Sequence, residues 1–172
     1  QVVVESGAGV RAGFPDAAYL NHAARLAESR EALFAEAEVL LQVRSDSLAD
    51  VADLERLHSG QTLIALCNPL GNPTAIQSLA SRGVTVFALE LLPRIARAQS
   101  MDVLSSMATI AGYRAVLLGA VELPKMFPLM MTAAGTISPA RVFVIGAGVA
   151  GLQAVATSRR LGAVVRAYDV RP

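Results

Sequence analysis

The stretch that decides the fold is RVFVIGAGVAGLQAVATSRRLGAVVRAYD, residues 141–169. Arg141–Ile145 reads as a strand, and it runs straight into Gly146-Ala147-Gly148-Val149-Ala150-Gly151. Leu152, Val155, Ala156 and Leu161 then recur at helical spacing up to Gly162. Val164–Tyr168 is a second strand, and it ends at Asp169, 18 residues after Gly151. Each part has a physical task. Gly146 permits the tight turn, Gly148 lets backbone approach a pyrophosphate, and Gly151 lets helix pack on strand. The amides of Ala147, Val149 and Ala150 complete an anion-binding helix start. Asp169 is placed to accept from ribose hydroxyls and to repel a 2′-phosphate, which favours NAD over NADP. Arg166 and Arg171 flank it and soften that selectivity. The glycines alone also allow a plain strand–helix turn, and Asp169 a solvated strand end. The order strand, glycine turn, helix, strand, acid points to the start of a Rossmann domain.

Upstream, apolar runs alternate with helical periodicity. Val39–Val43, Thr62–Leu66 and Val84–Leu89 read as strands. Between them, Ser47 with Asp50 forms a capping box for a helix through Leu57, and Asn72-Pro73 starts another that Arg82-Gly83 closes. This β-α-β-α-β order predicts an α/β fold, a parallel sheet covered by helices, of flavodoxin-like arrangement. Asp16–Ala24 and Glu28–Glu38 are expected helices, with a loop at Gly7, Gly9 and Gly13 before them. Beyond Leu92-Pro93, Ser100 is the expected cap of a long helix to about Leu118, with Asp102 in its first turn. Val103, Leu104, Met107, Ile110 and Ala111 form its apolar side; Asp102, Ser105, Thr109 and Tyr113 form a polar stripe. A second helical stretch, Glu122–Ala134, is expected to be kinked or broken by Pro128. Gly135–Pro139 reads as a turn and a domain boundary. The expected domains are therefore residues 1–134, the N-terminal α/β domain with connecting helices, and residues 135–172, the opening of the dinucleotide-binding domain. Both ends read as interior points of a longer protein.

Composition narrows the function. The chain has 172 residues, 53% of them hydrophobic and only 17% charged, which excludes a disordered chain. A net charge of +1 without blocks of like charge gives no nucleic-acid footprint. One cysteine, Cys67, leaves neither an internal disulfide nor a cysteine metal cluster, and no metal site is expected. Lys125 is followed by Met126, which removes a Walker phosphate loop. His22 and His58 stand far apart and read as surface or helix-end residues. The Met126–Met131 cluster reads as core packing. No apolar run reaches the roughly 18 residues that span a bilayer, so no transmembrane segment is expected.

Two further stretches carry a family resemblance: PRIARAQSMDVLSS, residues 93–106, and MTAAGT, residues 131–136, leading into the glycine motif. With Glu5-Ser6-Gly7-Ala8-Gly9 and Phe14-Pro15-Asp16, they resemble the NAD(H)-binding domain of the alpha subunit of proton-translocating NAD(P) transhydrogenases. The resemblance spans essentially the whole chain. It implies two α/β domains flanking a cleft, NAD(H) with its pyrophosphate on Gly146–Gly151, and a nicotinamide reaching Arg94, Gln99, Asp102 and Ser105. It implies direct hydride transfer to NADP(H) on a partner domain or beta subunit, and a membrane domain that couples transfer to proton movement. A homodimer at the cytoplasmic face of the inner membrane is expected on the same basis, with the chain inactive by itself. Locally, Gln99, Asp102 and Ser105 offer amide, carboxylate and hydroxyl groups suited to a carboxamide and a ribose, and Arg94 is placed to pair with Asp102. A structural ion pair and a helix packing face are the plainer readings of those residues.

Alanine dehydrogenase is the competing enzyme reading. Where that family has Leu-His-Leu-Ala, this chain has Leu66-Cys67-Asn68-Pro69, without a histidine acid/base. Near its Lys-Val-Lys run stands Gln42-Val43-Arg44, and Gln42 departs from the transhydrogenase lysine as well. A noncatalytic NAD-binding fragment is the third reading.

Overall fold

The computed structural model describes residues 1–45 and 51–171. The expected capping box at Ser47 and Asp50 lies outside the described residues. The chain separates into two compact units, Gln1–Met101 and Asp102–Pro172.

The first unit is built on parallel strands. β1 (Val3–Val4) pairs with β2 (Arg25–Leu26), and α1 (Asp16–Leu20) lies between them in the chain. α2 (Arg30–Glu36) leads into β3 (Val39–Arg44), α3 (Val51–Arg56), β4 (Thr62–Leu66), α4 (Pro73–Ser81) and β5 (Thr85–Ala88). The last three strands form one parallel sheet with β4 central, in the register Leu40–Leu63–Val86. The expected order of strands and helices is therefore present, with α1 and α2 shorter than expected. Period-two alternation on β4 buries Leu63 and Ala65 among Phe34, Leu40, Leu57, Leu79 and Val84. Local chemistry sets the helix ends. Ser29 Oγ accepts from Ala32 N, Asn72 Oδ1 accepts from Ala75 N ahead of Pro73, and Gly83 takes φ +75° past α4.

Two polar devices tie this unit together. Gln61 is buried, and its Nε2 donates to the carbonyls of Phe34 (2.7 Å) and Ala37 (2.8 Å) while Oε1 accepts from His58 N (2.8 Å). The Arg30 guanidinium bridges Glu5 and the buried Asp53, which also receives Arg56 Nη1 at 2.8 Å. The hydrogen bond from Arg30 holds the Asp53 carboxyl below the usual carboxylate range, against a desolvation cost in the opposite sense.

The second unit opens with α5 (Val103–Glu122), followed by β6 (Met130–Thr132) and β7 (Gly135–Ile137). β8 (Arg141–Ile145), α6 (Val149–Arg160) and β9 (Val164–Tyr168) complete it. β8 and β9 are parallel, Ile145 opposite Tyr168, and α5 packs along α6. Gly112 makes that approach possible, because a Cβ there would lie 2.1 Å from the Ala150 carbonyl oxygen. Val116, Phe127, Ala140 and Ala163 form the core.

Four expectations need correction here. The cap of α5 is Asp102, since Ser100 sits inside a 3₁₀ turn, Ala96–Met101, and Asp102 Oδ1 accepts from Ser105 N. The expected apolar side of α5 is not its buried side: Met107 and Ile110 are more than half exposed, and Gly112 and Val116 are buried instead. Glu122–Ala134 is not helical beyond the end of α5. Met130–Thr132 pairs antiparallel with Gly135–Ile137, with Gly135 at φ +129° and Thr132 Oγ1 bridging the turn. The methionines around it are exposed rather than packed, and only Phe127 of that stretch is buried. By length and composition alone α5, at 20 residues, is also apolar enough to cross a membrane. A count of uninterrupted apolar residues passes over it because small and polar residues interrupt the run.

Candidate functional site

Strand register assembles the glycine turn. Gly146 N donates to Tyr168 O at 2.7 Å, so β8 and β9 end side by side and Asp169 arrives beside the turn. Gly146 has φ +94°, which a side chain would strain. Gly151 is required by contact, since its Cβ would lie 1.8 Å from the Gly146 carbonyl oxygen. Gly148 differs from both. It caps α6 at φ −73°, ψ −170°, extended backbone open to any residue. The nearest atom to its Cβ position is Arg171 Nη2, 3.9 Å away. The fold therefore does not demand glycine there, and the space over it suits a group brought in from outside. The first-turn amides of α6 have no intrahelical acceptors and point the same way. That chemistry fits a pyrophosphate.

Asp169 is fully engaged with this turn. Its Oδ2 accepts from Ala147 N at 2.6 Å, and its Oδ1 from Arg171 N at 2.9 Å. The Arg171 guanidinium adds Nε to Oδ1 at 3.1 Å and Nη2 to Oδ2 at 3.2 Å. These hydrogen bonds, the Arg171 side chain first, hold the Asp169 carboxyl far below the usual carboxylate range. Of the two arginines flanking Asp169 in sequence, Arg171 is the one paired with it.

The remaining candidates fall in two places. Arg94 and Gln99 lie in the first unit, both exposed, on a segment anchored by buried Ala98 and by Ala98 N donating to Ile95 O. Asp102 and Ser105 lie in the second unit and are in contact: Ser105 N donates to Asp102 Oδ1 at 2.9 Å and Ser105 Oγ to Oδ2 at 2.7 Å. Thr109, further along the polar stripe, turns its hydroxyl to Ser105 O, and Tyr113 is half-exposed. Residues that sequence reasoning does not single out also matter. Glu90 accepts from Cys67 N at 2.9 Å and from Asn68 N, which ties the turn before Pro93 to the end of β4, where Asn68 takes φ +47°. Nothing in the residue pattern marks Glu90. A lone glycine amid a helical run is the signal available for Gly112.

Among the described residues no group of three or more His, Cys, Asp or Glu side chains could hold a metal ion. His22 and His58 are exposed. A cavity of about 320 Å³ lies between α5, β8 and α6, lined by Val116, Phe127, Val142 and Ser158 among others. It is apolar and contains none of the candidate residues.

Known proteins share this arrangement. Residues 1–111 match the family model for the alanine dehydrogenase/PNT N-terminal domain, and residues 115–172 match that for the alanine dehydrogenase/PNT C-terminal domain. An NAD(P) transhydrogenase alpha-subunit chain of Rhodospirillum rubrum is 47% identical over 99% of this chain and 45% of its own length. A crystal structure of transhydrogenase from Sinorhizobium meliloti superposes with a TM-score of 0.92 at 52% identity, over 100% of this chain and 48% of that one. An L-alanine dehydrogenase structure gives 0.81 at 25% identity, over 99% of this chain and 46% of that one. The chain thus spans about half the length of the curated relatives it matches. Matched along both units by the family's two domains, the chain belongs to the alanine dehydrogenase/PNT family.

Proposed function

We propose that this chain is the NAD(H)-binding part of a proton-translocating NAD(P) transhydrogenase. The observation that carries the reading is the open ground over Gly148, at a helix start, with an ionised Asp169 beside it. The higher identity to proteins named transhydrogenase than to alanine dehydrogenases supports the same choice. In this reading residues 1–134 serve as the N-terminal domain with its connecting helix, and residues 135–172 open the dinucleotide-binding domain.

The amides from Gly148 to Gly151 face the pyrophosphate at the positive end of α6, those of Gly146 and Ala147 being engaged by Tyr168 O and Asp169. Asp169 accepts from the adenosine ribose and disfavours a 2′-phosphate by charge. Arg94, Gln99, Asp102 and Ser105 take the nicotinamide end. Ser105 Oγ donates to Asp102, which fixes the hydroxyl and turns its oxygen lone pairs toward a carboxamide N–H. When bound, NADH supplies a hydride that passes directly to NADP⁺ on a separate domain or beta subunit. Transfer between two nicotinamides needs no general acid or base, so the protein's work is binding and alignment. The partner subunit, the coupled membrane domain, a homodimer and a position at the cytoplasmic face of the inner membrane complete the proposal, and the chain alone does not turn over. The alanine dehydrogenase alternative is disfavoured by Cys67, buried at the end of β4 against Ser45 where that chemistry needs an imidazole.

Titration of the purified chain with NADH and separately with NADPH, read by nucleotide fluorescence polarisation, tests this. Saturable NADH binding with little NADPH binding is expected, as is no NAD⁺ reduction with alanine. Binding of neither nucleotide, or alanine-dependent reduction, would overturn the proposal.

A further inference from the structure

We infer that Arg171 is a displaceable stand-in for the ribose diol on Asp169, an inference that rests on the dinucleotide reading above. A carboxylate offers about four lone-pair sites. On Asp169 all are taken: the amides of Ala147 and Arg171 fill one on each oxygen, and the guanidinium Nε and Nη2 fill the others. The two amides are fixed by the turn and the strand end. The two guanidinium donors sit on an arm whose side chain is 70% exposed, while the Asp169 side chain is 14% exposed. A nucleotide ribose brings two adjacent hydroxyl donors. It cannot reach Asp169 while Arg171 holds those positions, and it replaces the lost hydrogen bonds one for one once the arginine swings off.

Nothing else need move. The guanidinium reaches the edge of Gly148, with Nη2 3.9 Å from the Cβ position. It therefore borders the open ground assigned to the dinucleotide and leaves that edge with the same motion. Once released, it remains on a short tether beside the phosphates, as a mobile cation rather than a fixed one. An exposed ion pair of this kind is cheap to break, so the exchange is reversible and its thermodynamic signature small.

The experiment follows the Arg171 Nε–H resonance of the full chain by NMR, assigned by its disappearance in R171A, during titration with ADP-ribose. In parallel, adenosine, which carries the diol but no phosphate, is titrated into the wild type and R171A. The expected result is an Nε–H signal that shifts to solvent-exposed values at saturation, and adenosine binding about two- to fivefold tighter in R171A. An Nε–H signal unmoved at saturating ADP-ribose, or R171A binding adenosine no more tightly than the wild type, would overturn the inference while leaving the site intact. A wild-type chain that binds neither ligand overturns the inference and the dinucleotide reading together.

Discussion

Three glycines in one six-residue turn do three different jobs, and substitution separates them. At Gly151 an added methyl would meet the Gly146 carbonyl oxygen at 1.8 Å, so G151A has to push α6 off β8. Such overpacking costs about 1–3 kcal/mol, and G151A is expected to lose both melting temperature and NADH binding. G148A, with nothing but Arg171 Nη2 near it, should melt like the wild type and still lose NADH affinity. Calorimetry beside the fluorescence titration distinguishes the two; a G148A variant that binds NADH normally would remove the pyrophosphate from that position.

Charge at the neighbouring residue has its own pH signature. The Asp169 carboxyl is depressed in the folded chain by its hydrogen bonds from Arg171 and Ala147. A depressed carboxylate contributes stability that is present above its unfolded value of about 3.9 and is lost as pH falls through the lower folded value. The acid limb of the melting curve, below about pH 4, should therefore be shallower in D169N than in the wild type. Equal acid limbs in the two proteins would show that the ion pair does not survive in solution.

At the scale of the element, α5 shows where sequence reading succeeds and where it stops. Its existence is legible from an unbroken helical run, although it continues to Glu122, past the expected end near Leu118. Its start is not, because Ser100 is as good a cap by residue type as Asp102, and only the intervening 3₁₀ turn decides between them. Its buried face is hidden because α5 is apolar nearly all round, and the side that packs is chosen by the small residue, Gly112, that admits α6. The Met130–Ile137 hairpin escapes for a related reason: short apolar segments carry too few turns to distinguish periods, and Gly135 decides the geometry. The capping role of Asp102 can be tested apart from its proposed ligand role. D102A should cost about 1 kcal/mol of stability, whereas D102N retains an acceptor for Ser105 N and should keep most of it. If D102N nonetheless weakens NADH binding, the carboxylate acts beyond the cap; unchanged binding would leave Asp102 a structural residue.

For the molecule as a whole, the alternation of strands and helices is readable because the parallel strands are near-continuous apolar runs, even where, as in β3 and β8, one face stays exposed. The glycine turn is readable because its spacing has steric causes. What holds the first unit together is not. Gln61, Arg30 and Asp53 are ordinary polar residues in the chain, and only the folded geometry brings the amide to two carbonyls or the guanidinium to Glu5 and Asp53. R30A leaves buried Asp53 with fewer donors and should destabilise the first unit by about 1.5–3 kcal/mol, read by urea unfolding. A change below about 0.5 kcal/mol would mark the network as ornamental.

The paired strands β8 and β9 have one more consequence, which belongs to time rather than to geometry. In this chain they form a two-stranded sheet, with Phe143 and Ile145 on its exposed side. Two strands are marginal without a further layer. Their amides should open and exchange with deuterium well before those of β4, which has a partner on either side. The nucleotide proposed for the turn would close that gap. At a hundred times its dissociation constant it adds about 2.7 kcal/mol, so exchange along Arg141–Ile145 and Val164–Tyr168 should slow about a hundredfold. The cofactor, in that sense, is also the clock that sets how long this half of the chain stays shut.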